Sequence, residues 1–255
     1  MSSPNALTYN GYVTQIGVMA VVPTTTVSGI VQSTDANFNA IIPQMLNYAE
    51  FRIQRDIDFL QSIISSAYSV VSGTNTILIL NSAYKTIESI NILNPSTGAF
   101  ISNLLPVSKE YVQNTYPDQL STGIPQYFYI LSNASSDQMY VTIAPNANAN
   151  YSAQVTGTCY LPSLYTYSTS AGSAQTAVTY ISAYLPDLLI MASMIYISAY
   201  QRNFGRQSDD PAMAQSYEAQ YKALLAGATT TEARRKFQAS AWSSSSVPLS
   251  ATPTR

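Results

Sequence analysis

Between Asp35 and Leu60 the apolar residues Phe38, Ile42, Met45, Ala49, Ile53, Ile57 and Leu60 recur at steps of three and four. That spacing puts them on one face of an α-helix. Glu50, Arg52, Arg55, Asp56 and Asp58 fall on the other side. Asp35 is the expected N-cap, because its carboxylate can accept from the open N–H groups of the first turn. Pro43 removes a donor inside the pattern, which predicts a kink or a second helix start. The helix is expected to continue through Ile64. Ahead of it, residues 1–34 are broken by Gly11, Gly17, Pro23 and Gly29. They read as an extended arm with one short strand around Tyr12–Ile16.

The period then changes. Thr76–Leu80, Thr86–Leu93, Ala99–Leu105, Gln126–Leu131, Met139–Ala144 and Tyr151–Leu161 are short β-branched or alternating runs, which predict strands. Asn94-Pro95, Pro117-Asp118 and Asn146–Asn150 are turn signals between them. Ser108 is placed to cap a short helical turn. After a Ser/Thr/Ala loop at Tyr165–Thr176 the helical period returns. Pro186 and Asp187 suit a first turn; Leu188, Met191, Ile195, Tyr196 and Ala199 continue the face, and Gly205 is the expected stop. Asp209-Asp210-Pro211 opens another helix, with Met213, Tyr217, Tyr221 and Leu224 in phase and Glu218–Lys222 as an i,i+4 ion pair. The predicted fold class is α+β. Residues 35–66 and 185–240 form a helical bundle frame, made of the first helix and two C-terminal helices. Residues 67–184 form a β-rich insert, and residues 1–34 and 241–255 are extended arms.

Composition narrows the function. Only 9% of the residues are charged, against about 25% in ordinary soluble domains. Residues 2–34 and Gln138–Pro186 carry no charged side chain, while tyrosine reaches 20. Uncharged, tyrosine-rich surface suits contacts between proteins, where Tyr offers large area at low entropic cost. A net charge of −2 gives no general electrostatic case for wrapping nucleic acid. A single cysteine, Cys159, forbids an internal disulfide. No secretory signal is expected, and the apolar run Leu188–Tyr200 is too short for a bilayer of about 30 Å.

Catalytic chemistry lacks its parts. The chain has no histidine and one cysteine, which removes His-based nucleophilic catalysis and thiolate or imidazole metal sites. No phosphate-cradling glycine motif occurs. Asp56 and Asp58, two apart on a helix, point to different sides and cannot clasp one bond. No enzymatic activity, catalytic residue, metal or cofactor is expected.

The run Phe38…Ile42-Pro43…Tyr48-Ala49-Glu50-x-Arg52-Ile53-x-Arg55-Asp56-x-Asp58-x-Leu60 resembles the first helix of the head-to-tail adaptor (connector) proteins of tailed phages. The shorter pieces Leu104-Leu105-Pro106-Val-Ser-x-Glu-Tyr, Gly123-Ile124-Pro125-x-Tyr127 and Tyr184-Leu185-Pro186-Asp187-Leu188-Leu189 follow in the family's order. The resemblance implies a structural virion protein of the podophage-type neck. On that reading, a homododecameric ring joins the portal to the tail nozzle or another tail protein, and double-stranded DNA passes through its lumen. It would be found at the neck/tail junction of the virion, without membrane contact. The alternative is a tail-fibre or receptor-binding β module, suggested by the Tyr/Ser/Thr/Asn-rich middle alone.

Two groups of residues are candidates for contact. Glu50, Arg52, Arg55, Asp56 and Asp58 hold neighbouring copies in register or else stabilise their own helix, where Arg52–Asp56 and Arg55–Asp58 can pair. Arg234, Arg235, Lys236, Phe237 and Trp242 lie on a basic, Ser/Pro-rich tail. Either they dock on the portal with Trp242 as anchor, or the tail is solvated.

Overall fold

The chain mixes helix and sheet and divides into two units, Met1–Leu60 with Leu161–Arg255, and Gln61–Tyr160. The computed structural model describes residues 6–80, 84–117, 121–132, 138–165, 177–203 and 211–244.

The first unit carries the helices. α1 (Tyr9–Met19) is capped by Thr8, whose hydroxyl accepts from Gly11 N at 3.1 Å. Tyr9, Tyr12, Val13 and Ile16 are its buried face, so residues expected as an extended arm with a strand follow a helical period instead. Two glycines hid that period. Gly17 is required by crowding, since a Cβ there would lie 2.5 Å from Thr24 Cγ2. β1 (Thr24–Val27) and β2 (Ile30–Ser33) form a hairpin across Ser28 and Gly29, both at positive φ, 53° and 81°, the twist that suits a two-residue turn.

α2 (Ala36–Asp56) begins as expected, with Asp35 accepting from Asn37 N and Phe38 N at 3.0 and 3.3 Å. It passes through Pro43 without a second start and buries Phe38, Ile42, Met45, Leu46, Ala49 and Ile53. It does not continue through Ile64. Ile57 turns to extended backbone and a 3-10 turn at Leu60–Ser62 follows. Later in the chain come α4 (Tyr180–Tyr184), α5 (Pro186–Asn203) and α6 (Pro211–Ser244). α4 opens with a reciprocal capping box between Thr179 and Ser182. α5 packs against α1, α2 and α6, burying Leu188, Leu189, Ala192, Met194 and Ile197. On α6 the inward seam is Tyr221, Leu225, Ala228 and Glu232, while Leu224 is exposed. Residues 241–244, expected in an extended arm, are helical. Gly205, Asp209, Asp210, most of the Ser/Thr/Ala loop and residues 245–255 lie outside the described residues.

The second unit is a β-sandwich. One sheet runs β3 (Ile63–Val70), β12 (Tyr151–Thr158), β5 (Thr86–Leu93), β6 (Phe100–Asn103). The other runs β4 (Thr76–Leu80), β10 (Gln138–Ala144), β9 (Tyr127–Ser132), β7 (Leu105–Pro106). Val70, Ile90, Ile92, Ala153 and Val155 from the first sheet share a core with Ile77, Ile79, Phe128, Val141 and Ile143 from the second. α3 (Lys109–Thr115) is capped by Ser108, whose hydroxyl accepts from Tyr111 N at 3.2 Å. A small parallel pair, β8 (Thr122–Gly123) and β11 (Asn146–Ala147), completes the unit. β3 is the longest strand the sequence pattern missed: Ile63 and Ile64, read as helix, pair with β12 in an unbroken eight-residue register. The sandwich ends at Tyr160 rather than at residue 184, and the chain from Leu161 belongs to the helical unit.

Candidate functional site

The polar residues of α2 form two lines, and each grips a different segment of the helical unit. The first is Asn47, Glu50 and Gln54, recurring at steps of three and four. Gln54 Oε1 accepts from Leu161 N at 2.9 Å and its amide donates to Leu161 O at 3.4 Å. Asn47 Oδ1 accepts from Ser163 Oγ at 3.2 Å, and Glu50 Oε1 accepts from Leu164 N at 2.9 Å. Side chains therefore satisfy the buried backbone groups of Leu161 and Leu164 in an irregular segment. Glu50 is 2% exposed, and its Oε2 is buried without a hydrogen-bond partner among the described residues. Burial pushes its carboxyl up to about 7, against the opposing bond from Leu164 N.

The second line faces α6. Arg52 donates to both carboxylate oxygens of Glu218, at 2.7 and 2.8 Å, and its guanidinium lies 4.4 Å from the centre of the Tyr221 ring. Both bonds come from one guanidinium nitrogen, Nη2, while Nη1 reaches Tyr48 OH at 3.4 Å and the planar group lies over the Tyr221 ring, a combination that suits Arg better than Lys. Burial works against the Arg52 charge, but Glu218 outweighs it and raises the guanidinium pKa; Arg52 in turn holds the Glu218 carboxyl below its ordinary range. Asp56 lies 3.9 Å from Arg52 and accepts from Tyr221 OH at 2.7 Å. Burial first, and then Asp56, push the Tyr221 phenol up.

About three turns further along α6, Glu232 is 5% exposed and collects Tyr180 OH at 2.6 Å, Arg235 at 2.7 Å and Leu60 N at 3.3 Å. Burial opposes its charge, but these donors outweigh burial and hold the carboxyl low. Arg235 also donates to Tyr180 OH, and Lys236 pairs with Asp58, which lies past the end of α2. α6, with one narrow apolar seam, is thus registered on the rest of its unit by charge and phenol contacts.

Of the residues read as subunit contacts, Arg52, Asp56 and Asp58 have partners on α6 of their own chain and Glu50 is buried inside it. Arg55 is exposed on the last turn of α2. Of the tail candidates, Arg235 and Lys236 have partners within the chain, Arg234 and Phe237 are exposed, and the Trp242 side chain lies outside those described. The Glu218–Lys222 pair expected from spacing is present at 3.5 Å, but Glu218 also takes Arg52, and neither that contact nor the Tyr180–Glu232 bond was expected. Glu232 carried a local signal, three residues before Arg235; Tyr180 carried none.

Among the described residues no three His, Cys, Asp or Glu side chains gather to hold a metal ion, and no helix is long and apolar enough to cross a membrane. In the sandwich unit a cleft of about 60 Å³, lined by Asn75, Gln113, Tyr116, Tyr129 and Thr142, is far smaller than ordinary ligand pockets of about 300 Å³ upward.

No curated protein matches the chain. A family model described as SU10 adaptor protein matches residues 24–247. That match takes in β1, the whole sandwich and all of α6, so both units and the polar seam between α2 and α6 lie within it. The chain belongs to the SU10 adaptor protein family of phage adaptors.

Proposed function

We propose that this protein is the ring-forming adaptor of a podophage-type virion neck. Twelve copies join the portal to the tail nozzle or a neighbouring tail protein, and DNA passes through the lumen. The role is structural, without catalysis. The observation that carries this reading is the family match across residues 24–247. The intramolecular use of charge supports it: Arg52, Asp56 and Asp58 pair with α6 of their own chain, so subunit contacts fall mainly to uncharged surface. A tail-fibre module would need the sandwich alone, whereas the match runs through the helical unit as well.

Native mass alone and with purified portal tests the reading. A dodecamer-sized species, formed alone or on portal, is the expected result; a chain that stays monomeric in both overturns it. Docking on the portal is assigned to residues 234–255, with Arg234 and Phe237 as the exposed members of the group. Deleting residues 237–255 should weaken portal binding, and unchanged binding refutes that assignment.

A further inference from the structure

Two of the four edges of the sandwich are blunted: β7 is two residues long and contains Pro106, and β6 has four residues and a register shift against β5. β4, with five residues, is the shorter of the two remaining edges. Short strands, bulges and prolines are the usual ways to stop an edge from pairing further. β3 has none of these. It is eight residues long, reads IISSAYSV without charge or proline, and keeps regular register. Cys159 donates its N–H to Ser62 O at 2.7 Å, which sets the phase of the ladder with β12. Alternate residues bond across an antiparallel pair, so Ile63, Ser65, Ala67 and Ser69 present N–H and C=O away from β12. All four are exposed.

A matching open edge lies in the helical unit. Thr34 N donates to Pro23 O at 3.0 Å, so Thr25 and Val27 bond to β2 while Thr24 and Thr26 present their backbone outward. The far side of β2 is already closed: Asn10 of α1 accepts from Val31 N at 3.1 Å and donates to Gly29 O at 2.9 Å. Among the described residues no hydrogen bond covers the outer edge of β1. Thr25, Thr26 and Val27 are exposed, β-prone and uncharged. A lone two-stranded ribbon is marginal by itself.

We propose that β1 of one copy adds to the β3 edge of the next, making a continuous sheet β2-β1-β3-β12-β5-β6 across the subunit boundary. The inference rests on the ring reading above. The two surfaces differ, so the contact is head-to-tail, the kind that closes into rings. Backbone ladder bonds supply the recognition, as in strand addition generally, and neither strand carries a charge to repel the other.

The test uses the full chain. Ala67→Pro removes an outward N–H that β12 does not use, and Ala67→Lys places a charge on the edge without touching the backbone. Each should leave circular dichroism and thermal melting of the monomer near wild type. Each should also weaken ring formation by about tenfold or more, a loss of at least about 1.4 kcal/mol. Should Ala67→Pro misfold, Ala67→Lys carries the test. In a Cys159→Ala background, Thr26→Cys combined in turn with Ser65→Cys, Ala67→Cys or Ser69→Cys should give disulfide-linked copies in at least one register. A ring that survives both Ala67 variants overturns this contact alone, as do cross-links formed by Ala67→Cys without Thr26→Cys, which indicate β3 pairing with itself. A wild-type chain that never forms a ring overturns the functional reading and this contact together.

Discussion

The two units are held by different means. The sandwich core consists of apolar side chains from two facing sheets. Of the eight buried polar residues among those described, only Ser62 belongs to the sandwich unit; the others, Glu50 and Glu232 among them, sit in the helical unit. A sandwich needs alternation and close approach, because its backbone groups are satisfied by its own ladders. The helical unit has an irregular return segment and a long helix with little apolar seam, and both need side chains to supply what ladders do not. The helical unit should therefore respond to pH and to charge removal, and the sandwich to volume.

The largest effect tests the apolar part of the helical unit. Ile53 is fully buried at the centre of its core, and Ile53→Asp places an unpaired carboxylate there. A cost above about 4 kcal/mol is expected. Loss of helical circular dichroism and rapid proteolysis would register it; a soluble variant with wild-type helicity would contradict the packing of α2.

Next comes the pH response of Glu50. Its folded-state pKa is raised, from 4.5 to about 7. The associated stability is therefore fully present below the unfolded value and is lost as pH rises through 7. Glu50→Gln keeps the acceptor for Leu164 N and removes the charge. It should stabilise the protein by up to about 3 kcal/mol at pH 8 and by little at pH 4. Denaturant titrations at the two pH values give the difference. Glu218 and Glu232 have the opposite sign, with carboxyl pKa values held low, so their contribution is lost as pH falls below the ordinary carboxylate range. A pH profile of stability that kept its fall between pH 4.5 and about 7 in Glu50→Gln would remove Glu50 as its cause.

In the sandwich, Gly157 should be the sensitive position. It sits at the register shift between β12 and β5, where an added Cβ would strike the Thr86 carbonyl and come within 3.0 Å of the Tyr84 ring. Gly157→Ala should cost about 2 kcal/mol, with no dependence on pH between 5 and 8. A pH-dependent loss would blur the distinction between the units.

The sandwich was the more legible unit because alternation is local. Thr76–Leu80 and Thr86–Leu93 were read with the bounds the structure shows, as was the Ser108 cap. β3 escaped because IISSAYSV mixes small residues with no clear period, and its pairing with β12 depends on residues some ninety positions away. In the helical unit, the Asp35 cap and the buried face of α2 were visible for the same local reason. α1 was not, since glycines at 11 and 17 imitate a breaker pattern while serving packing. The charged face of α2 was recognised as unusual, but its partners Glu218, Tyr221 and Lys236 lie across the chain. Nothing in the spacing of Arg52 and Asp56 points to them.

A milder test of charge removal is Arg52→Ala. The pair with Glu218 is part-exposed, so screening limits it, and the lost ion pair and ring stacking should total about 1 kcal/mol. The melting temperature of the monomer should fall by a few degrees. Glu218→Ala should cost about as much, and the double variant should cost less than the sum, as contacting residues do. Strict additivity would mean that the contact contributes nothing measurable.

The smallest change should have the opposite sign. Gly227 lies in the interior of α6, between the Glu218 and Glu232 attachments, and an added Cβ there meets nothing within 4 Å. With no clash and an ordinary helical backbone, Gly227→Ala mainly reduces the conformational freedom of the unfolded chain. A gain of about 0.5–1 kcal/mol is expected, read as a small rise in melting temperature at every pH. If Gly227→Ala instead destabilises the protein, α6 uses that glycine for a close contact, and the helix has a neighbour there that the single chain does not supply. Measuring the variant both as monomer and in assembled protein separates the cases. A gain in the monomer with a loss on assembly would place another copy against the outer face of α6.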